Sequence, residues 1–282
     1  MKLGRPIFDT LVRLSLGMLV ALACALAQAA PPARVVSINL CTDQLLVMLA
    51  GPGQIASLSY LARDPESSFV AARAGRFALN HARLEELIAL RPDLILAGTP
   101  TNPRLLSQLR RLGLRVEQFP LTHSINGIHR DIRRLAMLLG KQQEGELLIE
   151  TMTSRLSELK PQIEPGQPKA LFYQPRGYTS GSETLQDEAL RLAGWRNLAA
   201  ELGIEGYARI DLEALLLARP ERIFTSSHGS GNGSKAEAQL DHPALRKLMQ
   251  GRSPVKIPYK AWLCAGPMIV EAVSLLVAAH EP

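Results

Sequence analysis

The sequence predicts an α/β protein of two Rossmann-like lobes, each built on a parallel sheet and joined by a long interdomain helix. Three observations predict it. A helix–Arg-Pro–strand block occurs twice at an offset of 128 residues. The strands in and around these blocks are short and aliphatic, as strands buried on both faces of a parallel sheet are. Between the two halves lies a strand-free stretch with helical periodicity.

The repeat is Leu84-Glu85-Glu86-Leu87-Ile88-Ala89-Leu90-Arg91-Pro92-Asp93-Leu94-Ile95-Leu96 against Leu212-Glu213-Ala214-Leu215-Leu216-Leu217-Ala218-Arg219-Pro220-Glu221-Arg222-Ile223-Phe224. Leu84, Glu85, Leu87, Arg91, Pro92 and Ile95 recur as Leu212, Glu213, Leu215, Arg219, Pro220 and Ile223. Leu, Glu and Ala favour the helix, and proline pushes the residue before it out of the α region. Ligands of open α/β sheets bind past the carboxyl ends of the strands. Residues 98–102 and 226–233 are therefore candidate cleft loops, with Thr99 and His228 facing the cleft.

The remaining elements follow in order. Residues 34–38 open the first lobe as a strand. A helix follows over 43–50 with Thr42 as its N-cap. Residues 54–59 and 115–119 are further strands. Helices are expected over 124–139, ended by Gly140, and over 141–160, with Leu147, Leu148, Thr151, Met152, Arg155, Leu156 and Leu159 on one face. The second lobe has strands at 170–173 and 255–257. A terminal helix over 267–279 carries Pro267 in its first turn. The expected organisation is a signal peptide over 1–29, a first lobe over 34–123, a helical linker over 124–165 and a second lobe over 166–282. The stiff linker implies modest closure of the lobes.

The amino terminus carries Lys2, Arg5 and Arg13, an apolar run over 14–27 and a small-x-small site at Ala27-Gln28-Ala29. This is the pattern of a cleaved secretory signal, and it places the mature protein in an exported compartment, the periplasm. The run is shorter than the ~20 residues of a membrane-spanning helix. Cys24 leaves lipidation open as an alternative. With the leader go three basic residues and one acid, so the formal charge of +6 falls to about +4. No basic stripe is present, and no nucleic-acid partner is expected.

Only 13 of the 282 residues are aromatic. Most of the mature aromatics fall in the strands and helices, so those outside them are informative. Tyr60, Tyr178, Tyr207 and Trp262 fall in loops at strand ends, and flat apolar ligands stack well on such rings. Arg63 and Arg176 lie in loops where they can meet carboxylates. Cys41 follows the first strand and Cys264 the last; two free thiols, an interlobe disulfide and soft ligands to a metal centre all remain open. The histidines show no metal-binding spacing, so no dedicated metal site or intrinsic cofactor is expected. The glycine-rich run 226–234 lacks the ending of a phosphate-binding loop, and no nucleophile–base motif stands out.

On these residues the chain resembles the substrate-binding proteins of ABC importers for iron-siderophores, haem and cobalamin. The resemblance rests on R-V-V-S-I-N-L over 34–40, the Leu84–Leu96 block, Tyr178-Thr179-Ser180-Gly181 and the Trp262…Pro267 pattern. It implies a class III periplasmic-binding-protein architecture. It also implies that Glu85 and Glu213 pair with arginines of an inner-membrane permease served by ATPase subunits, and that Tyr60, Tyr178, Tyr207 and Trp262 line the cleft. The cargo would be a metal complex (cobalamin, haem or a ferric siderophore), carried by a monomer. Leu79 stands where relatives have a tryptophan, and another tryptophan position of theirs lies near Thr99, so the aromatic cage is thinner. The other functional classes compatible with this scaffold are an exported enzyme and a sensory or chaperone module.

Overall fold

A computed structural model describes residues 30–159, 161, 166–226, 242–249 and 253–280. The expected signal peptide, Cys24, His228 and most of the glycine-rich run lie outside the described residues. The described residues from 32 onward form one compact unit.

The amino-terminal sheet has five parallel strands: β1 (Val35–Ser37), β2 (Ile55–Ser59), β3 (Leu79–Asn80), β4 (Leu94–Gly98) and β5 (Val116–Phe119). Their order is β3-β2-β1-β4-β5. Helices α1 (Leu40–Leu49), α2 (Leu84–Ala89) and α3 (Pro103–Arg111) lie in the crossovers. The chain turns from one side of the sheet to the other between β1 and β4, and that reversal opens a crevice at their carboxyl ends.

Two helices follow, α4 (Ile125–Leu139) and α5 (Gln142–Glu158). Gly140 closes α4 in the left-handed conformation, φ 68°, as expected of a C-terminal glycine. The buried stripe of α5 is Gly145, Ile149, Met152 and Leu156. Leu147, Thr151 and Arg155, expected on that face, are exposed. A Cβ on Gly145 would lie 2.5 Å from the Cβ of Ala136 on α4. The glycine therefore sets how closely the helices approach, and Ile149, four residues on, shares its face, whereas Leu147 does not.

The carboxyl-terminal sheet is also parallel: β6 (Lys169–Phe172), β8 (Arg196–Asn197), β10 (Arg222–Thr225) and β11 (Val255–Lys256), in the order β11-β10-β6-β8. A separate antiparallel pair, β7 (Tyr178–Ser180) with β9 (Tyr207–Arg209), forms a lip beside it. Helices α6 (Leu185–Leu192), α7 (Leu212–Ala218) and α8 (Ile269–Ala278) are the longest helices of this half among the described residues. Its reversal falls between β6 and β10.

Both copies of the repeat fold alike, α2–β4 and α7–β10. Two helix starts differ from expectation. The cap of α1 is Asn39, whose Oδ1 accepts from the amides of Cys41 and Thr42 at 3.0 and 3.4 Å. The Thr42 hydroxyl turns back to the Asn39 carbonyl at 2.9 Å, so the helix begins three residues earlier. Pro267 precedes α8, which starts at Ile269 after Met268.

One apolar core runs through both halves. It joins Leu45, Leu46 and Phe119 of the first to Phe172, Phe224, Trp262 and Ile269 of the second. Among the described residues no helix is long and apolar enough to cross a membrane.

Candidate functional site

The two sheet reversals open into adjoining cavities. The first, of about 490 Å³, begins where β1 and β4 end, at Ile38, Asn39, Gly98, Thr99 and Pro100. Its far wall comes from the other half: Leu185, Tyr207, and Trp262 through Ala265. The second, of about 400 Å³, begins where β6 and β10 end, at Gln174, Pro175 and Ser226. Tyr207, Trp262 and Leu263 belong to both walls. The cleft is therefore a two-chambered space whose ends are the two positions at which open α/β sheets take ligands.

Trp262 is 6% exposed and packs edge-on against Phe172, ring centroids 4.9 Å apart. Its indole N–H has no hydrogen-bond partner among the described residues. Tyr207 is 56% exposed, and its phenol donates to Gln186 Oε1 at 2.9 Å. Burial of the phenol raises its pKa above the ordinary value, opposed by that hydrogen bond. Tyr178 lines the second chamber, with the Arg209 guanidinium 5.0 Å from its ring centroid. Both rings are held on the β7–β9 lip, where Ser180 pairs with Tyr207 and Tyr178 with Arg209. Thr99 lines the first chamber and spends its hydroxyl on the Phe119 carbonyl at 3.1 Å.

Other expected residues stand elsewhere. Tyr60 is half exposed and stacks on His81, centroids 5.2 Å apart; its neighbour Leu61 lines the first chamber in its place. Arg63 turns away and donates to the carbonyls of Gly75 and Phe77 at 2.9 and 2.8 Å. Arg176 sits in a left-handed turn, φ 64°, outside both linings. Leu79 packs against the core. Glu85 and Glu213 are exposed in the first turns of α2 and α7, outside both cavities.

Cys41 and Cys264 are joined by a disulfide, Cα atoms 5.1 Å apart, on the wall of the first chamber. Among the described residues no three His, Cys, Asp or Glu side chains are placed to share a metal ion.

Sequence reasoning missed the loop after β5. Leu121, Thr122 and His123 line the first chamber with Asp131 of α4. Thr122 donates to the Asp131 carboxylate, whose pKa is raised by burial against the opposing effects of Thr122, Arg134 and Arg130. The strand-end rule applied to residues 98–102 would have found this loop had it been applied to 115–119 as well.

Two parallel α/β halves whose reversal points meet across an aromatic-walled cleft define a bilobed ligand-capture protein. The chain belongs to the periplasmic binding protein family, whose model matches residues 35–250. It is 29% identical over 253 residues to a vitamin B12-binding protein of Photorhabdus laumondii, covering 88% of this chain and 87% of that one. Among solved structures it resembles a periplasmic haem-binding protein of Vibrio cholerae (TM-score 0.74, 21% identity, 88% of this chain and 99% of that one). It also resembles a periplasmic vitamin B12-binding protein of the same organism (TM-score 0.63, 23% identity, 89% and 99%). These two likenesses show a shared fold.

Proposed function

We propose that this protein captures a flat tetrapyrrole metal complex, a cobalamin-type corrinoid first among them, in the periplasm and delivers it to an inner-membrane ABC importer. The observation that carries the reading is the wall formed by Tyr207, Trp262 and Leu263, which both chambers share. A broad planar ring laid against that wall would occupy both chambers. The apolar side chains would bury its faces, and Gln174, Gln186, Ser226 and His123 offer polar contacts to its edge groups. The vitamin B12-binding relative supports the choice of corrinoid over other chelates. In this reading the chain acts as a binding protein and not an enzyme, as a monomer without nucleic-acid contact.

Glu85 and Glu213 serve as the permease contacts. Both are exposed, and neither has an ion-pair partner among the described residues. They occupy the same position of a repeated unit, one on each half, which suits docking on a two-fold symmetric membrane partner.

Calorimetric titration of the purified protein with cyanocobalamin, dicyanocobinamide, haemin and a ferric catecholate siderophore tests the ligand. Saturable one-to-one binding of the corrinoids supports the reading. Binding of haemin or the siderophore alone would replace the ligand, and binding of none would overturn the proposal.

A further inference from the structure

We propose that the Cys41–Cys264 disulfide is a redox latch across the floor of the cleft, opened by an external dithiol and controlling how far the two halves part at the ligand site. This deepens the ligand-capture reading and rests on it for its ligand arm.

The bond joins residues 223 positions apart. Cys41 lies in the first turn of α1, just past β1 in the first half; Cys264 lies between β11 and α8 in the second. Both line the first chamber. Immediately behind them is the core shared by the halves, where Leu45, Trp262 and Ile269 are buried together. The bond thus stands at the boundary between the interlobe core and the open cavity, where parting of the halves would begin. Disulfide geometry keeps the two Cα atoms within about 7 Å. From the observed 5.1 Å the floor can widen by only ~2 Å while the bond stands, so any larger opening is confined to the rim. With the bond broken, the halves are held together at the floor by noncovalent contacts, the shared core first among them.

The two sulfurs are unequally placed for attack. Cys264 is 2% exposed, whereas Cys41 is partly exposed on the cavity wall. A thiolate of the external dithiol attacks Cys41 Sγ, forms a mixed disulfide with it and releases Cys264 as thiolate. The second thiolate of the dithiol then closes its own disulfide and releases Cys41. Two electrons pass from the dithiol to the protein, and the cysteine thiolates take up protons released by the dithiol. The released Cys41 thiolate lies at the amino end of the ten-residue α1, a position that stabilises a negative sulfur.

The test uses the whole chain in three forms: oxidised, reduced with dithiothreitol, and the Cys41→Ser/Cys264→Ser variant. A non-reduced digest must contain the Cys41–Cys264 cross-linked peptide; its absence overturns the proposal. Amide hydrogen exchange is then read, without ligand, over residues 119–124 and 259–266. Reduction is expected to speed exchange at both segments by ~5-fold or more, with circular dichroism unchanged. The double variant is expected to exchange like the reduced protein and to ignore dithiothreitol. Should the variant fail to fold, the oxidised and reduced wild type still decide the matter. Equal exchange in the two states makes the bond a static brace and sinks the latch. Release of cyanocobalamin and haemin is measured in parallel, with faster release expected on reduction. If neither probe binds in either state, the ligand reading fails while the exchange data still judge the latch.

Discussion

Arg91 and Arg219 hold the same left-handed backbone conformation 128 residues apart, with φ 47° and 49°, and each directly precedes a proline. Few non-glycine residues of the described chain have positive φ, and two of them fall at one repeat position. Proline disfavours the α region for the residue before it. The chain leaves the helix through the left-handed well and then enters the strand. In both halves this turn sets the angle between a helix bearing an exposed glutamate and a strand leading to the cleft. A left-handed conformation costs an L-residue ~1 kcal/mol, which glycine avoids. Arg91→Gly and Arg219→Gly are therefore each expected to stabilise the protein by about 0.5–1 kcal/mol, additively because the sites are distant. Urea unfolding checks this; a loss of stability would show that the arginine side chains matter more than the backbone.

The proposed docking role of Glu85 and Glu213 is separable from ligand capture. Glu85→Arg/Glu213→Arg reverses two exposed charges outside both cavities. Calorimetric ligand affinity is expected to stay within twofold of wild type (about 0.4 kcal/mol). Uptake into vesicles holding the cognate permease should fall by ~30-fold or more. Undiminished uptake would remove both glutamates from the interface.

Trp262 and Trp195 are the two tryptophans of the chain, and they report on different places. The Trp195 indole donates to the Leu276 carbonyl at 2.8 Å and stacks on His280, away from both chambers. Trp262 lines both. Trp262→Phe is expected to abolish the fluorescence change on ligand addition and to weaken affinity by about 5–10-fold through lost ring contact. The stability loss should be about 1–3 kcal/mol, from the space left by the smaller ring; the indole N–H it removes has no hydrogen-bond partner among the described residues. Trp195→Phe should leave the ligand-induced quench intact.

Asp43 supplies a pH dependence. It is buried beneath β2, accepting from the Ser59 amide at 3.0 Å and from the Ser59 hydroxyl. Burial pushes its pKa from 3.8 up to about 7, against the opposing effect of its hydrogen bonds to serines. The folded state therefore prefers the protonated carboxyl. Its contribution to stability is complete below about pH 4 and is lost as pH rises through 7. Asp43→Asn mimics the protonated acid and is expected to flatten the stability profile over that window by on the order of 2–4 kcal/mol. Urea titrations at pH 5 and pH 8 measure it; an unchanged slope would place the dependence in another group.

The parallel sheets and the repeat were legible because their signals are local: aliphatic runs, Arg-Pro junctions and helix formers lie in single short windows. The cleft was legible at the ends of β4, β6 and β10 for the same reason. Tyr207 and Tyr178 read as loop aromatics, and what holds them is a three-residue antiparallel lip too short to show alternation. Arg63 reads as a loop cation, yet its direction is set by the carbonyls of Gly75 and Phe77, a contact no local pattern encodes. The pairing of Cys41 with Cys264 stayed open for a similar reason, since it depends on how the halves meet.

The same bond also turns most of the protein into a covalent ring. Residues 41–264 close on themselves, and with them nearly every strand of both sheets. A protease that cut one exposed loop inside the ring would open it into a linear chain without releasing a fragment. The pieces that stay outside are β1, the central strand of the first sheet, and α8, which closes the second half. These two segments lie outside the ring, so β1 is held by its strand pairing with β2 and β4 and α8 by packing and the Trp195 hydrogen bond to Leu276, and the disulfide does not restrain either of them.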